Sequence, residues 1–264
     1  MSLNWIDVND FDFRCLLLME RFQLEYLCAC KDAVQQRHLG IALRAHPDVT
    51  WYIMHRVPQA GAHIKALIAA APTVAADEAR ASECFVLSWC EDFVIYTQPE
   101  LMASHCNFIY GWTSSRLHEL LDLTGLRVLD VGSGSGRLAF AAAEKAAEVY
   151  AVEPVETLRQ FLKIESETRG VRLRVADGFC HALPYPDDSF DVVMSGHVVG
   201  DDYDADIEEM QRVCRNGGWI LDVPGDQHFD LNPDEELIRR GFECLPYTGS
   251  FGGRVCRYRM QVRK

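Results

Sequence analysis

Val128-Leu129-Asp130-Val131-Gly132-Ser133-Gly134-Ser135-Gly136 is an apolar run without helical period that empties into three alternate glycines. It reads as a buried strand ending at Val131. Glycines at such a point permit positive dihedrals and bring backbone, not side chains, against a ligand. Arg137-Leu138-Ala139-Phe140-Ala141-Ala142-Ala143 then opens a helix whose first N–H groups face what the loop holds.

Strand, glycine turn and helix are shared by dinucleotide binders and S-adenosylmethionine binders, and local details separate them. The dinucleotide fingerprint G-x-G-x-x-G requires its third glycine where Arg137 stands, whereas this loop reads G-x-G-x-G. Asp130 precedes the first glycine by two residues, where a dinucleotide strand is usually apolar. The acid ending the next strand, Val149-Tyr150-Ala151-Val152-Glu153, is followed by Pro154, and Ala176-Asp177-Gly178 ends a third strand.

From about Val128 to Gly225 the chain resembles the class I S-adenosylmethionine-dependent methyltransferases, in the broad group that includes the quinone-biosynthesis C-methyltransferases. Besides the glycine loop, Glu153 and Asp177-Gly178-Phe179, two further segments carry the likeness in order. Leu183-Pro184-Tyr185-Pro186-Asp187-Asp188-Ser189-Phe190-Asp191-Val192-Val193 leads into a fourth strand, and Glu209-Met210-Gln211-Arg212-Val213-Cys214-Arg215-Asn216-Gly217-Gly218 is a helix and turn before a fifth. Asn216 stands where the group usually has proline, and both residues suit a turn.

The resemblance implies S-adenosyl-L-methionine as cofactor, S-adenosyl-L-homocysteine as product, and roles for particular residues. Gly132, Gly134 and Gly136 bring the loop backbone to the cofactor, and Asp130 orients that loop or the methionyl amino group. Glu153, 21 residues after Gly132, accepts the ribose hydroxyls, for which an acceptor-only carboxylate with two oxygens is suited. Asp177, Gly178 and Phe179 frame the adenine, with a simple helix cap as the competing role for Asp177. Ser195 closes the fourth strand among the cofactor residues. His197, in Ser195-Gly196-His197-Val198, is the candidate general base, because imidazole titrates near neutrality; a hydrogen bond to cofactor or backbone is its other reading.

The 264 residues exceed one minimal domain of this kind, so an appendage is expected: a helical extension over 1–107, acting as substrate cap, and a cofactor-binding domain over 108–264. Helical spacing of Phe13, Leu16, Leu17, Met19, Phe22, Leu24 and Leu27 supports the first part. Breaks are expected at Gly40, His46-Pro47, Val57-Pro58, Ala71-Pro72 and Gln98-Pro99, with Asp10, Asp48 and Thr73 as N-terminal punctuation. Trp51, Tyr52, Met54 and His55 read as packing residues of that layer. A helix from Arg116 to Leu123 precedes the glycine strand, and the end reads as a helix from Pro233 to Arg240 and strands at 242–245 and 255–260. The strands near Val128, Val149, Leu173, Val192 and Ile220 are spaced for helical crossovers, which gives an α/β, Rossmann-like, doubly wound sheet. The resemblance implies seven strands, the last antiparallel and inserted between the two before it.

A net charge of −13 disfavours a nucleic-acid backbone or an anionic membrane as partner. The basic residues Arg254, Arg257, Arg259, Arg263 and Lys264 alternate as the solvent side of a last strand would. The acidic run Asp201, Asp202, Asp204, Asp206, Glu208 and Glu209 lacks His or Cys and reads as a solvated helix entry, not a metal site. Gly111-Trp112-Thr113-Ser114-Ser115 reads as ordinary capping, with a hold on the methionyl carboxylate as the alternative. Ten cysteines without C-x-x-C or a signal peptide point to reduced thiols in the cytoplasm, and no apolar run is long enough to span a membrane. Met1-Ser2-Leu3 suits a native start or an expression scar equally. The expected activity is methyl transfer from S-adenosylmethionine to a small molecule; the rivals are a nicotinamide-dinucleotide oxidoreductase and a regulatory protein that binds the cofactor without catalysis.

Overall fold

The computed structural model describes residues 6–106, 108–200 and 202–264; Met1-Ser2-Leu3 and Asp201 lie outside these. Internal contacts divide the chain into two units, Met1–Leu101 and Met102–Lys264.

The first unit is helical. Short 3-10 turns at Val8–Asp10 and Phe13–Leu18 precede α1 (Arg21–Cys28), α2 (Ala33–Ala45), α3 (Pro47–Arg56), α4 (Gly61–Ala70), α5 (Ala76–Trp89) and α6 (Glu91–Ile95), while α7 (Pro99–His105) runs across the boundary. Phe13, Leu16, Met19, Leu24 and Leu27 point into one apolar core with Leu39, Leu43, Ile53, Ile64, Val86 and Leu87. The prolines punctuate as expected, Pro47 occupying the first turn of α3, where its missing N–H costs nothing.

Gly40 does not break its helix. A Cβ there would stand 2.6 Å from the Leu67 carbonyl oxygen, so this glycine lets α2 and α4 approach backbone to backbone. The expected caps are displaced too. Asp7 and Asp12 cap the 3-10 turns in place of Asp10, Asp32 caps α2 by accepting the Val34 and Gln35 N–H groups, and α5 follows Ala75, not Thr73. Asp48 sits inside the first turn of α3 and accepts from Arg14 Nε at 2.6 Å. Tyr52 and Met54 pack on the core, but Trp51 is 60% exposed and stacks on His55 at 3.8 Å, so it is not a packing residue of this unit.

The second unit contains α8 (Ser115–His118), β1 (Arg127–Val131), α9 (Arg137–Ala143), β2 (Glu148–Val152), α10 (Glu156–Thr168), β3 (Leu173–Ala176), β4 (Phe190–Ser195), α11 (Tyr203–Val213), β5 (Cys214–Asp222), α12 (Glu235–Arg239), β6 (Glu243–Thr248) and β7 (Arg254–Gln261). Its sheet has seven strands in the order β3-β2-β1-β4-β5-β7-β6. Strands β1 to β5 are parallel, and β7 is antiparallel to both its neighbours, as the resemblance implies. The chain reverses its lateral direction between β1 and β4, and ligands of open α/β sheets bind at such a switch point, outside the carboxyl ends of the strands.

Two sequence expectations fail here for one reason. The helix expected over 116–123 stops at His118, because Arg257 Nη1 donates to the Arg116 carbonyl at 2.7 Å and Arg259 Nη1 to the Leu120 carbonyl at 2.8 Å. The Arg116 carbonyl would otherwise accept the Leu120 N–H, and the Leu120 carbonyl belongs to the last turn, which needs a partner from outside the helix. Arg257 is therefore not on the solvent side of β7; it is 7% exposed, also pairs with Glu119, and lies over the Tyr247 ring.

Candidate cofactor site

The parallel register brings Ala176, Val152, Val131, Ser195 and Asp222 side by side at the ends of five strands. The expected residues follow directly from these ends. Gly132, Gly134 and Gly136 have φ of +63°, +55° and +90°, conformations that side chains with a Cβ rarely adopt. Their surroundings differ. A Cβ on Gly132 would strike Val198 Cγ2 at 2.3 Å, and one on Gly136 would strike the Phe140 ring at 2.5 Å and Leu162 Cδ2 at 2.7 Å. Gly134 meets only the flexible tip of Met102 at 3.2 Å. Two glycines of the loop thus serve close internal packing, and Gly134 is the least enclosed of the three.

Two buried carboxylates hold the loop. Asp130 Oδ2 accepts the Ala139 N–H at 3.0 Å and so ties β1 to the start of α9. Glu153 reaches across from the end of β2: Oε2 accepts the Gly134 N–H at 2.8 Å, and Oε1 accepts the Val155 N–H at 2.9 Å. Burial raises both carboxyls to about 7, opposed at Asp130 by the Arg137 charge and at Glu153 by its two backbone donors. Each Glu153 oxygen accepts one of these N–H groups and has a second lone pair for a further donor.

Beyond β3, the Asp177 side chain is 70% exposed and pairs with Arg159 Nη1 at 2.9 Å; the same nitrogen donates to the Glu153 carbonyl at 2.8 Å. Arg159, which the sequence reading missed, thereby joins the second and third strand ends. Gly178 is a packing glycine, since a Cβ would meet Pro184 Cδ at 2.9 Å and Val152 Cγ1 at 3.0 Å. Phe179 is 39% exposed and stacks with His181 at 5.5 Å.

Ser195 and His197 both make hydrogen bonds within the chain. Ser195 is fully buried, its hydroxyl donating to Asp222 Oδ1 at 2.8 Å and its carbonyl accepting the Val223 N–H at 2.8 Å. The single hydroxyl proton is thereby committed to Asp222. Burial raises Asp222 to about 6, with the Ser195 hydroxyl and Arg137 opposing. His197 has a φ of +65° and its Nε2 accepts the Gly225 N–H at 3.0 Å. That bond uses the single acceptor nitrogen of a neutral imidazole. Burial, aided by Arg137, lowers its pKa to about 4. Gly225 lies 28 residues away on the far side of β5, so no local pattern announced this pairing.

The acidic segment is absorbed structurally. Asp202 caps α11 through the Ala205 N–H, Asp206 is buried, and Glu209 pairs with Arg212 and accepts the Leu183 N–H. Among the described residues, no group of three or more His, Cys, Asp or Glu is arranged to hold a metal ion.

Residues 129–221 match the methyltransferase-domain family model. An uncharacterized protein of Mycobacterium tuberculosis is 38% identical over 98 residues, 36% of this chain and 36% of its own length. The demethylmenaquinone methyltransferase of Deinococcus radiodurans is 34% identical over 116 residues, 42% of this chain and 48% of its own. The chain thus spans less than half the length of these curated relatives. The crystal structure of an S-adenosylmethionine-dependent methyltransferase from Aquifex aeolicus superposes with a TM-score of 0.51 at 15% identity, covering 62% of this chain and 98% of that one, which shows a shared fold. Residues 129–221 thus match a methyltransferase domain, the sheet order and the glycine loop are those of the class I methyltransferase fold, and S-adenosylmethionine is the cofactor that such a domain implies.

Proposed function

We propose that the protein transfers a methyl group from S-adenosylmethionine to a small-molecule acceptor. The observation that carries the reading is Glu153. It is a nearly fully buried carboxylate that braces the Gly134 N–H and stands at the strand end beside the glycine loop. A buried, acceptor-rich group there fits a pair of vicinal hydroxyls. Asp177 and Phe179 offer an exposed carboxylate and an exposed ring face to the adenine, and the loop at Gly134 admits the ligand against backbone.

The cofactor supplies an electrophilic methyl on a sulfonium. The chain binds and orients: Asp130 fixes the start of α9, Glu153 fixes the loop, and His197 fixes the segment after β4 by accepting from Gly225. With its acceptor nitrogen engaged and its basicity lowered, His197 acts in this reading as a brace, and catalysis rests on holding donor and acceptor in contact with water excluded. The Deinococcus radiodurans relative is named for demethylmenaquinone, and its family likeness supports a small organic acceptor here. Among the described residues no helix is long and apolar enough to cross a membrane.

Calorimetry with S-adenosylhomocysteine and NAD tests the cofactor, and transfer of a labelled methyl to candidate acceptors tests the reaction. Binding of NAD with no response to the adenosyl ligand would overturn the reading. The engagement of His197 gives some support to a second one, a cofactor-binding regulator; it predicts tight cofactor binding with no transfer to any acceptor tried.

A further inference from the structure

The chain steps from β1 to β2 to β3 in one lateral direction, and right-handed crossovers then put α9 and α10 on the same face of the sheet. Between these helices and the segment ahead of α8 lies a cavity of about 430 Å³, within the range of small-molecule sites. It follows α9 from Arg137 to Glu144, about 10 Å at the rise of an α-helix. Glu153, Asp177 and Phe179, the groups assigned above to the adenosine, are not among its walls. The cavity is therefore a place apart from them, in the helical layer.

Its two ends differ in chemistry. Where α9 finishes, the charges are matched: Glu144 accepts from Ser114 Oγ at 2.9 Å and pairs with His118 at 3.1 Å, while Arg169 pairs with Glu165 and lies over the Phe140 ring at 4.1 Å. The middle is apolar, lined by Ile109, Phe140, Ala141 and Phe161. Where α9 starts, two donors are unmatched. Arg137 Nη1 and Trp112 Nε1 are buried without a hydrogen-bond partner, although the guanidinium lies over the Trp112 ring at 4.7 Å and Nη2 donates to the Val223 carbonyl at 2.7 Å. Burial lowers Arg137 to about 10, against the opposing charge of Asp130. A buried donor left unmade costs more than a made bond contributes, and a carboxylate supplies two acceptor oxygens and a counter-charge at once. We propose that this cavity is a site for a second ligand, a small carboxylate with an apolar body, whose oxygens meet Arg137 Nη1 and Trp112 Nε1 and whose hydrocarbon lies along Phe140 and Phe161. It is filled independently of the cofactor, so the inference stands apart from the methyltransferase reading.

The probes are octanoate, a carboxylate whose chain matches the length of the cavity, and 1-octanol, which has the same body without the charge. In nuclear magnetic resonance on the full chain, octanoate should move the indole N–H signal of Trp112, identified as the one missing from Trp112→Phe. Calorimetry should show Arg137→Met weakening octanoate roughly 10- to 100-fold, as for loss of a charged hydrogen bond, and 1-octanol by no more than about twofold. Trp112→Phe keeps a stacked ring and removes only the N–H, and should weaken octanoate alone by about 2- to 10-fold; it decides the matter if Arg137→Met does not fold. A Trp112 signal that stays in place at millimolar octanoate overturns the proposal. So do equal losses for the two probes, which would make the pair structural. Displacement of octanoate by S-adenosylhomocysteine would assign the cavity to the cofactor and overturn it as well. Octanoate binding by a protein that ignores S-adenosylhomocysteine would support this site while sinking the methyltransferase reading.

Discussion

Replacing Glu153 with Gln keeps its shape and removes its charge. Today Oε2 accepts from Gly134 at 2.8 Å and Oε1 from Val155 at 2.9 Å. An amide has one acceptor oxygen, so its nitrogen would face one of these N–H groups donor to donor. The folded protein should lose about 1–3 kcal/mol, the cost of a buried polar group left without its partner. Binding should suffer separately, since the amide cannot accept from both ribose hydroxyls: about 1.5–3 kcal/mol, or roughly 10- to 150-fold in the dissociation constant of S-adenosylhomocysteine. The pH dependence sharpens the test. Burial raises Glu153 from 4.5 to about 7, so between these values the folded protein holds more protons than the unfolded chain. Its contribution to stability therefore falls as pH rises from about 4.5 to about 7 and is level above that, by up to about 1.4 kcal/mol per pH unit. Ligand hydroxyls favour the ionised form, so wild-type affinity should increase from pH 6 to pH 8. Calorimetry across that range, with thermal unfolding of the ligand-free protein, measures both effects. If Glu153→Gln binds within twofold of wild type, and wild-type affinity is flat from pH 6 to pH 8, the ribose is held elsewhere.

Gly134→Val, at a φ of +55° and against Met102, should abolish S-adenosylhomocysteine binding in the same assay while the far-ultraviolet circular dichroism keeps its shape. His197→Ala should lower cofactor affinity and single-turnover rate together; a fall of roughly 10²–10⁴-fold in rate alone would instead identify a general base. Ser195→Ala leaves the buried Asp222 without its hydroxyl donor and should reduce stability by about 1–3 kcal/mol in chemical denaturation, with cofactor affinity unchanged. Gly40→Ala forces a methyl against the Leu67 carbonyl and should cost about 1–3 kcal/mol, seen as a lower melting temperature with no effect on ligand binding.

The strands and the glycine loop were legible because their signals are local: apolar runs, acids at strand ends and turn residues at fixed offsets. What failed was non-local. Gly40 looks like a helix breaker until Leu67 arrives beside it, and the helix after Ser115 looks long until Arg257 and Arg259 claim its carbonyls from more than a hundred residues away. Ser195 and His197 were placed correctly along the chain, but the groups that engage them, Asp222 and Gly225, come from the next strand and the loop after it. Sequence position predicts which edge a residue reaches. It does not say whether its hydrogen bonds are already spoken for. Arg137 was visible only as a departure from a motif, and Arg159 gave no signal beyond its place on a helix.

The crossed ending of the sheet bears on how the protein assembles. Strand β6 is made before β7, yet it joins the sheet only through β7, which also closes the outer edge of β5. Until residues 254–261 have emerged, β5 presents an unpaired row of backbone donors and acceptors and β6 has nothing to attach to. Open edges of this kind recruit other chains. During synthesis the molecule is thus most exposed to mispairing just before its seventh strand appears, and a chain cut short after Thr248 would keep that vulnerability permanently.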